Sequence, residues 1–156
     1  MRMLRITLAV SAVAIVALGL GVAAQPKPAA AGPKVTVYKT SSCGCCRLWV
    51  DHMKSSGFDV QAMDVSSADL RAVSKAAGLK DEDTSCHTAK IGNYVVEGHV
   101  PADDIKRMLK EKPAIAGLSA PGMPQGSPGM EQGMKEPYDV IAFKKDGTST
   151  VYAKHK

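Results

Sequence analysis

The chain has 156 residues, enough for one domain of ordinary size with a hydrophobic core. Its 20 basic residues exceed its 15 acidic ones for a formal net charge of +5, but two of the basic ones, Arg2 and Arg5, sit at the extreme N-terminus. The rest are scattered, with Lys106, Lys110 and Lys112 on or after a predicted helix, which reads as a solvated face and excludes a nucleic-acid footprint.

Residues 1–24 read as an export signal: Arg2 and Arg5, an apolar run from Ile6 to Val22, and a small-residue cleavage pattern at Val22-Ala23-Ala24. The run is long for a signal core and just short of a comfortable membrane span, so an uncleaved N-terminal anchor is the alternative and the only membrane association expected. No cysteine follows the cut, which argues against a lipid-modified N-terminus. In either case the domain is expected in the periplasm, where disulfides persist and a cytosolic zinc-finger reading loses weight.

Residues 25–33 form a Pro/Ala linker that cannot bury apolar surface. The domain is expected over 34–156. Lys34–Lys39 alternates Val35 and Val37 with polar neighbours and predicts a strand, followed by a Thr40-Ser41-Ser42 turn. From Gly44 to Ser56 the positions Cys45, Leu48, Trp49, His52 and Met53 recur at helical spacing, and Gly57 supplies the stop; Leu48, Trp49 and Met53 read as core. Phe58–Met63 alternates as a second strand, and Ser66 and Ser67 cap a helix over Ala68–Ala77 that ends at Gly78. Leu79–Ser85 is polar and reads as loop. Ser85–Lys90, the Gly92-Asn93 turn and Tyr94–His99 predict a hairpin. Pro101, with Asp103 and Asp104 in the first turn, opens a helix that runs to Glu111.

The order β-α-β-α-β-β-α is that of a thioredoxin-like sandwich of the α/β class, with the first two strands as parallel neighbours. Residues 117–137 hold five glycines and four prolines, with Met123, Met130 and Met134 in a loose Gly-Met repeat, and read as one irregular loop. Tyr138–Phe143, a Lys144–Gly147 turn and Thr148–Ala153 make a C-terminal β-hairpin extension at an edge of the sheet that the sequence does not specify.

The chemistry is concentrated in the 4 cysteines, Cys43, Cys45, Cys46 and Cys86. Three thiols within four residues are more than one disulfide can use, so Cys43-Gly44-Cys45-Cys46 reads as a sulfur-rich site for a soft metal, for disulfide exchange, or for both. Between the first strand and first helix such thiols meet the unpaired N–H groups and positive end of the helix, which favour thiolate. Cys43 and Cys46 keep the spacing of a local disulfide; Cys45 is the extra thiol. Given this fold, Ser85-Cys86-His87 begins the third strand beside the loop, where many proteins of this fold carry a cis-proline. Four sulfurs and one imidazole would then converge in a donor set suited to Cu(I) and less so to hard cations. Zinc is the weaker candidate because Cys45 and Cys46 are adjacent and paired Cys-x-x-Cys knuckles are absent. A structural disulfide with spare thiols is the bland reading.

Alternation along a strand sends Cys86 and His87 to opposite faces unless a bulge intervenes. His52, on the apolar face with Trp49, reads as a satisfied core histidine. His99 ends a strand near the site and is a second candidate to face it, while His155 lies in the tail. Met123, Met130 and Met134 could present thioethers to Cu(I) at the rim, though the preferred reading is of apolar plugs that hold the loop to the domain.

The segments Cys-Gly-Cys-Cys-Arg-Leu-Trp-Val-Asp-His-Met, Ser-Cys-His-Thr-Ala, Tyr-Val-Val-Glu-Gly-His-Val-Pro-Ala and the Pro-Gly-Met loop together resemble domain-of-unknown-function family 411, which includes a copper-resistance member. The resemblance covers residues 34–143, with separate motifs matching in order. It implies a periplasmic thioredoxin-like domain with a role in copper resistance or in the redox handling of copper, binding copper through the Cys-x-Cys-Cys and Cys-His motifs. Carried onto this chain, the metal residues are Cys43, Cys45, Cys46 and Cys86 with His87 adjacent, and the partners are copper ions and other exported copper-handling proteins. The rival is an enzyme, a thiol–disulfide oxidoreductase in which Cys43 attacks and Cys46 resolves.

Overall fold

The computed structural model describes residues 32–156, so the expected signal and the linker up to residue 31 lie outside the described residues. In chain order the elements are β1 (Lys34–Lys39), α1 (Gly44–Ser55), β2 (Asp59–Asp64), α2 (Ser67–Ala76), a single 3-10 turn (Asp81–Asp83), β3 (His87–Ile91), β4 (Tyr94–Gly98), α3 (Ala102–Glu111), β5 (Gly117–Ala120), β6 (Tyr138–Phe143) and β7 (Ser149–His155). Through α3 this is the β-α-β-α-β-β-α order that the periodicity predicts. Among the described residues no helix is long and apolar enough to cross a membrane.

The seven strands form one mixed sheet in the order β2-β1-β3-β4-β5-β6-β7. β1 and β2 are parallel, Lys34 opposite Asp59 and Lys39 opposite Asp64, as a crossover through a helix allows. β3 runs antiparallel to both β1 and β4. β5 lies parallel to β4, and β6 and β7 follow as antiparallel neighbours.

β5 corrects the sequence reading, which assigns all of residues 117–137 to an irregular loop. Gly117-Leu118-Ser119-Ala120 carries one large apolar side chain and no β-branched residue, so it lacks the usual strand signal. It is a strand because it is buried along its whole length and because Gly117 lies against the Val95 carbonyl so closely that no side chain would fit. It also settles the edge on which the C-terminal hairpin extends the sheet, beyond β4 and at the opposite end from β2.

Period-2 alternation divides the sheet's two faces. Val35 and Val37 of β1, Ala89 and Ile91 of β3, Val96 of β4 and Leu118 of β5 form one core with Trp49, Val50 and Met53 of α1 and Ile105 and Met108 of α3. Full burial of Met53, Ile105 and Met108 stabilises by roughly 1.5–3 kcal/mol each. The opposite face carries Thr88 and Glu97, which meet Ser74 of α2. The buried stripe of α1 is Cys46, Trp49, Val50 and Met53, rotated from the expected one, so Leu48 is 41% exposed and is not core.

Candidate metal centre

Cys43 is the N-cap of α1: its backbone is extended and its Sγ accepts the Cys46 N–H at 3.3 Å. The cap places the sulfur at the positive end of the helix. Cys43 and Cys46 are joined as a disulfide across a Cα–Cα distance of 5.4 Å, while Cys45 and Cys86 are free. Cys46 is fully buried and Cys43 is partly exposed. The Cys45 sulfur lies 3.6 Å from that of Cys43 and 3.8 Å from that of Cys86, and Cys86 is 3.5 Å from Cys46. All four sulfurs fall within 4.8 Å of one another.

Cys86 precedes the ladder of β3 and does not take part in it. Its neighbour Ser85 donates its N–H to the Glu97 carboxylate at 2.8 Å and its hydroxyl to the Gly122 carbonyl. Gly98, at φ +69°, packs against Ser85 so tightly that a Cβ there would collide with it. The expectation that Cys86 and His87 point to opposite faces is thereby overturned. With Cys86 outside the pleat the alternation does not bind it, and its sulfur comes within 3.5 Å of His87 Nδ1.

His87 is wholly buried beneath the site, 4.5 Å from the Trp49 ring between centroids, and its Nε2 has no hydrogen-bond partner among the described residues. Burial first, and the nearby His99 second, push its pKa down to about 3, so the ring is neutral. His99 is equally buried. Its Nδ1 lies 2.8 Å from the Pro128 carbonyl, which can only accept, so Nδ1 carries the proton and Nε2 keeps its lone pair. That lone pair faces the Cys86 sulfur at 3.1 Å. Burial also lowers the His99 pKa. Cys86 moves the other way, pushed up to about 12 by burial first and by Cys45 second, so its thiol is neutral and a cation binding there must displace its proton.

The structure thus brings together Cys43, Cys45, Cys46, Cys86 and His87, and adds His99, which the sequence reading left outside the ligand set. A signal for His99 was present. Counting outward from the Gly92-Asn93 turn pairs Thr88 with Glu97, as observed, and the next step in the same register but one places Cys86 opposite His99. His52 and His155 stay away from the sulfurs. His52 Nε2 accepts the Ala102 N–H at 3.1 Å, tying α1 to the start of α3, where Pro101 offers no side-chain cap. His155 contacts Asp104 at 2.7 Å and stacks on Tyr138.

The reading of the loop methionines as apolar plugs is corrected. Met123 and Met134 are 53% and 89% exposed; Pro124, Ser127 and Gly129 are the buried anchors instead. Ser127 donates to the Pro124 carbonyl at 2.6 Å, and Gly129, at φ +86°, abuts the Cys45 carbonyl and Trp49 N–H. Met130, partly exposed, lines an open cleft of about 740 Å³ together with Cys45, Arg47 and Leu48.

The family described as a protein of unknown function, DUF411, matches residues 84–130, which hold Cys86, His87, His99 and the loop to Met130. No curated protein sequence matches the chain. Two solved structures of a copper resistance protein, CopG, are similar over most of both chains. Form 1 has 38% identity and a TM-score of 0.73, covering 80% of this chain and 98% of that one. Form 2 has 37% identity and the same TM-score, covering 80% and 99%. With identity at that level along nearly the whole of CopG, and the DUF411 match over the Cys-His segment, this chain belongs to the DUF411 family as a CopG-like protein.

Proposed function

We propose that this chain is an exported copper-binding protein that holds Cu(I) through Cys43, Cys45, Cys46 and Cys86, with His87 beside them, in copper resistance or in the redox handling of copper. The observation that carries the reading is the meeting of four sulfurs within 4.8 Å at a helix N-terminus. Thiolates are soft donors matched to Cu(I), and sulfurs this close can bridge more than one ion. The similarity to the copper resistance protein CopG supports copper over zinc as the cargo.

The β2-β1-β3-β4 order, with β3 antiparallel to both neighbours, supports a thioredoxin-like core extended by β5 and the β6–β7 hairpin. The periplasm is the proposed location, on the strength of the signal-like residues 1–24.

Cu(I) loading of all four sulfurs requires the Cys43–Cys46 bond to be reduced by an external dithiol, which supplies two electrons and two protons and is itself left as a disulfide, giving two thiols here. Each thiol then loses its proton to solvent as the sulfur binds the metal. Copper analysis with thiol counting, on reduced and on oxidised protein, tests the reading. Reduced protein should take up Cu(I) with four thiols free, and uptake should fall when the bond closes. A reduced protein that binds no Cu(I) would remove it.

The disulfide itself favours a second reading, a thiol–disulfide oxidoreductase. Partly exposed Cys43 is placed to attack and buried Cys46 to resolve. Cys45→Ser separates the two. It should lower Cu(I) stoichiometry or affinity under the copper reading, and should leave a Cys43/Cys46 exchange reaction largely intact under the other.

A further inference from the structure

The open cleft beside Cys45 extends away from the sulfur cluster and has a chemistry of its own. Its volume of about 740 Å³ is that of a small-molecule site. One side is lined by α1 from Gly44 to Lys54 and another by the loop from Gln125 to Gln132. Cys45 is the free thiol on this lining: Cys43 and Cys46 are bridged, and Cys86 does not reach it.

The α1 side alternates in charge, with Arg47, Asp51 and Lys54 a helical turn apart. Among the described residues neither Arg47 nor Lys54 has a carboxylate partner, and the Arg47 guanidinium reaches only the Ser41 carbonyl, at 3.5 Å. Lys39, the third cation of the lining, is already paired with Asp64. Two open cations with an open carboxylate between them complement a ligand that carries two carboxylates and one ammonium. The first turn of α1 also lines this end, and it holds no acidic residue to offset the positive pole of the helix. Leu48, 41% exposed on the same lining, gives methylene groups an apolar contact.

We propose that the cleft binds a small peptide thiol of the glutathione class in its disulfide form, and that Cys45 exchanges with it. Arg47 and Lys54 hold the carboxylates and Asp51 the ammonium. Lys54 stands about 14 Å beyond Cys45 along the helix axis, a distance that an extended tripeptide of about 10 Å and the lysine side chain cover together. The Cys45 thiolate attacks one sulfur of the bound disulfide and the bond between its two halves breaks. One half stays on Cys45 as a mixed disulfide; the other leaves as a thiolate and takes up the proton that Cys45 gave up, with no net gain or loss of electrons. The cap withholds Cys45 from the four-sulfur set until the thiol form of the same compound lifts it by the reverse step. The Cys43–Cys46 bond stays closed throughout, so the proposal depends on neither reading of that pair.

The test uses Cys86→Ser with the Cys43–Cys46 bond closed, in which Cys45 is the remaining free thiol. It is treated with oxidised glutathione, with cystamine, which is cationic, and with hydroxyethyl disulfide, which is neutral. Peptide mapping by mass spectrometry should find one glutathionyl group, on Cys45. The rate with oxidised glutathione, relative to hydroxyethyl disulfide, should fall about five- to tenfold when Arg47→Gln and Lys54→Gln are added. The relative rate with cystamine should rise. Lys75→Gln with Lys110→Gln, the same change of charge elsewhere on the surface, should leave both ratios unchanged. If Cys86→Ser fails to fold, the release of glutathione by the unaltered protein, compared through the same ratios, decides.

No adduct, an adduct on another cysteine, or ratios unmoved by the loss of Arg47 and Lys54 would overturn the proposal. Cu(I) uptake by the reduced protein is measured separately. Uptake there beside a Cys45 indifferent to charge would remove this site alone; charge-selective exchange without Cu(I) uptake would remove the copper reading alone.

Discussion

His99 faces Cys86 across the open end of the β3–β4 hairpin, Nε2 to Sγ 3.1 Å apart, and it is held in that aspect from behind by the Pro128 carbonyl. The loop that follows β5 is therefore part of the centre's construction. Gly129 is packed against it, since a Cβ there would stand 2.8 Å from both the Cys45 carbonyl and the Trp49 nitrogen and 3.3 Å from His99 Nδ1, at a φ of +86°. Gly129→Ala should cost about 1–3 kcal/mol from the backbone conformation alone, and should also weaken metal binding by displacing Pro128. Urea unfolding and a metal titration check both; an alanine variant as stable as the parent would show that the loop does not seat as described.

Glu97 is the buried anchor of the Cys86 segment, accepting from the Ser85 N–H at 2.8 Å and the Thr88 hydroxyl at 2.6 Å. Glu97→Ala should destabilise by about 1–3 kcal/mol for each donor left unpaired. Glu97→Gln should lose less, because its amide oxygen can still receive the Ser85 N–H. Chemical denaturation of the two variants gives the comparison, and equal losses would contradict this role.

Trp49 is the chain's 1 tryptophan, with its ring 4.5 Å from His87 and its Nε1–H donated to the Val100 carbonyl at 2.9 Å. Its fluorescence should fall in step with copper uptake, and the end point should coincide with the metal stoichiometry. A signal that stays flat through saturation would place the ion elsewhere. Trp49→Phe should also leave the Val100 carbonyl unpaired, for a loss of about 1–3 kcal/mol in denaturant unfolding.

Burial holds the pKa of His52 below its ordinary value of 6.5, the main cause in a group that also accepts the Ala102 N–H through Nε2. The unfolded chain therefore binds this proton first on acidification. The stabilising effect is complete above 6.5 and is lost as pH falls through the depressed folded value. His87 and His99 shift in the same direction, for the same leading reason. The metal-free protein should lose thermal stability on acidification below 6.5, and His52→Gln should show a shallower decline. Melting curves across that range decide, and a parental slope in the variant would discount His52.

Much of the architecture was written in short-range patterns. Val35 and Val37 alternate, Ser66 caps α2 through its hydroxyl, and glycines at 57 and 78 follow the first two helices at φ +92° and +89°, so each element announced its own limits. β5 did not, because Gly117 and Ala120 are defined by what lies next to them in space and not by their own side chains. The three cysteines of the loop before α1 were equally legible, since proximity in sequence ensures proximity in the fold, whereas Cys86, 40 residues beyond Cys46, comes to them only through the order of the strands. His99 required the hairpin register to be carried past the end of the ladder. The pairing of Cys86 with His87 depended on Ser85 and Glu97 lifting Cys86 out of the strand, which no alternation rule conveys. Leu48 went astray for a smaller reason, a rotation of the buried stripe of α1 by about one residue.

Cys86 belongs to both donor groups, the four sulfurs and the pair of imidazoles. A change at Cys45 or at His99 touches one group alone, whereas a change at Cys86 thins both at once. The sulfur just ahead of β3 is thus where the thiol loop and the end of the hairpin meet, and its oxidation would take a donor from the sulfurs and from the imidazoles together.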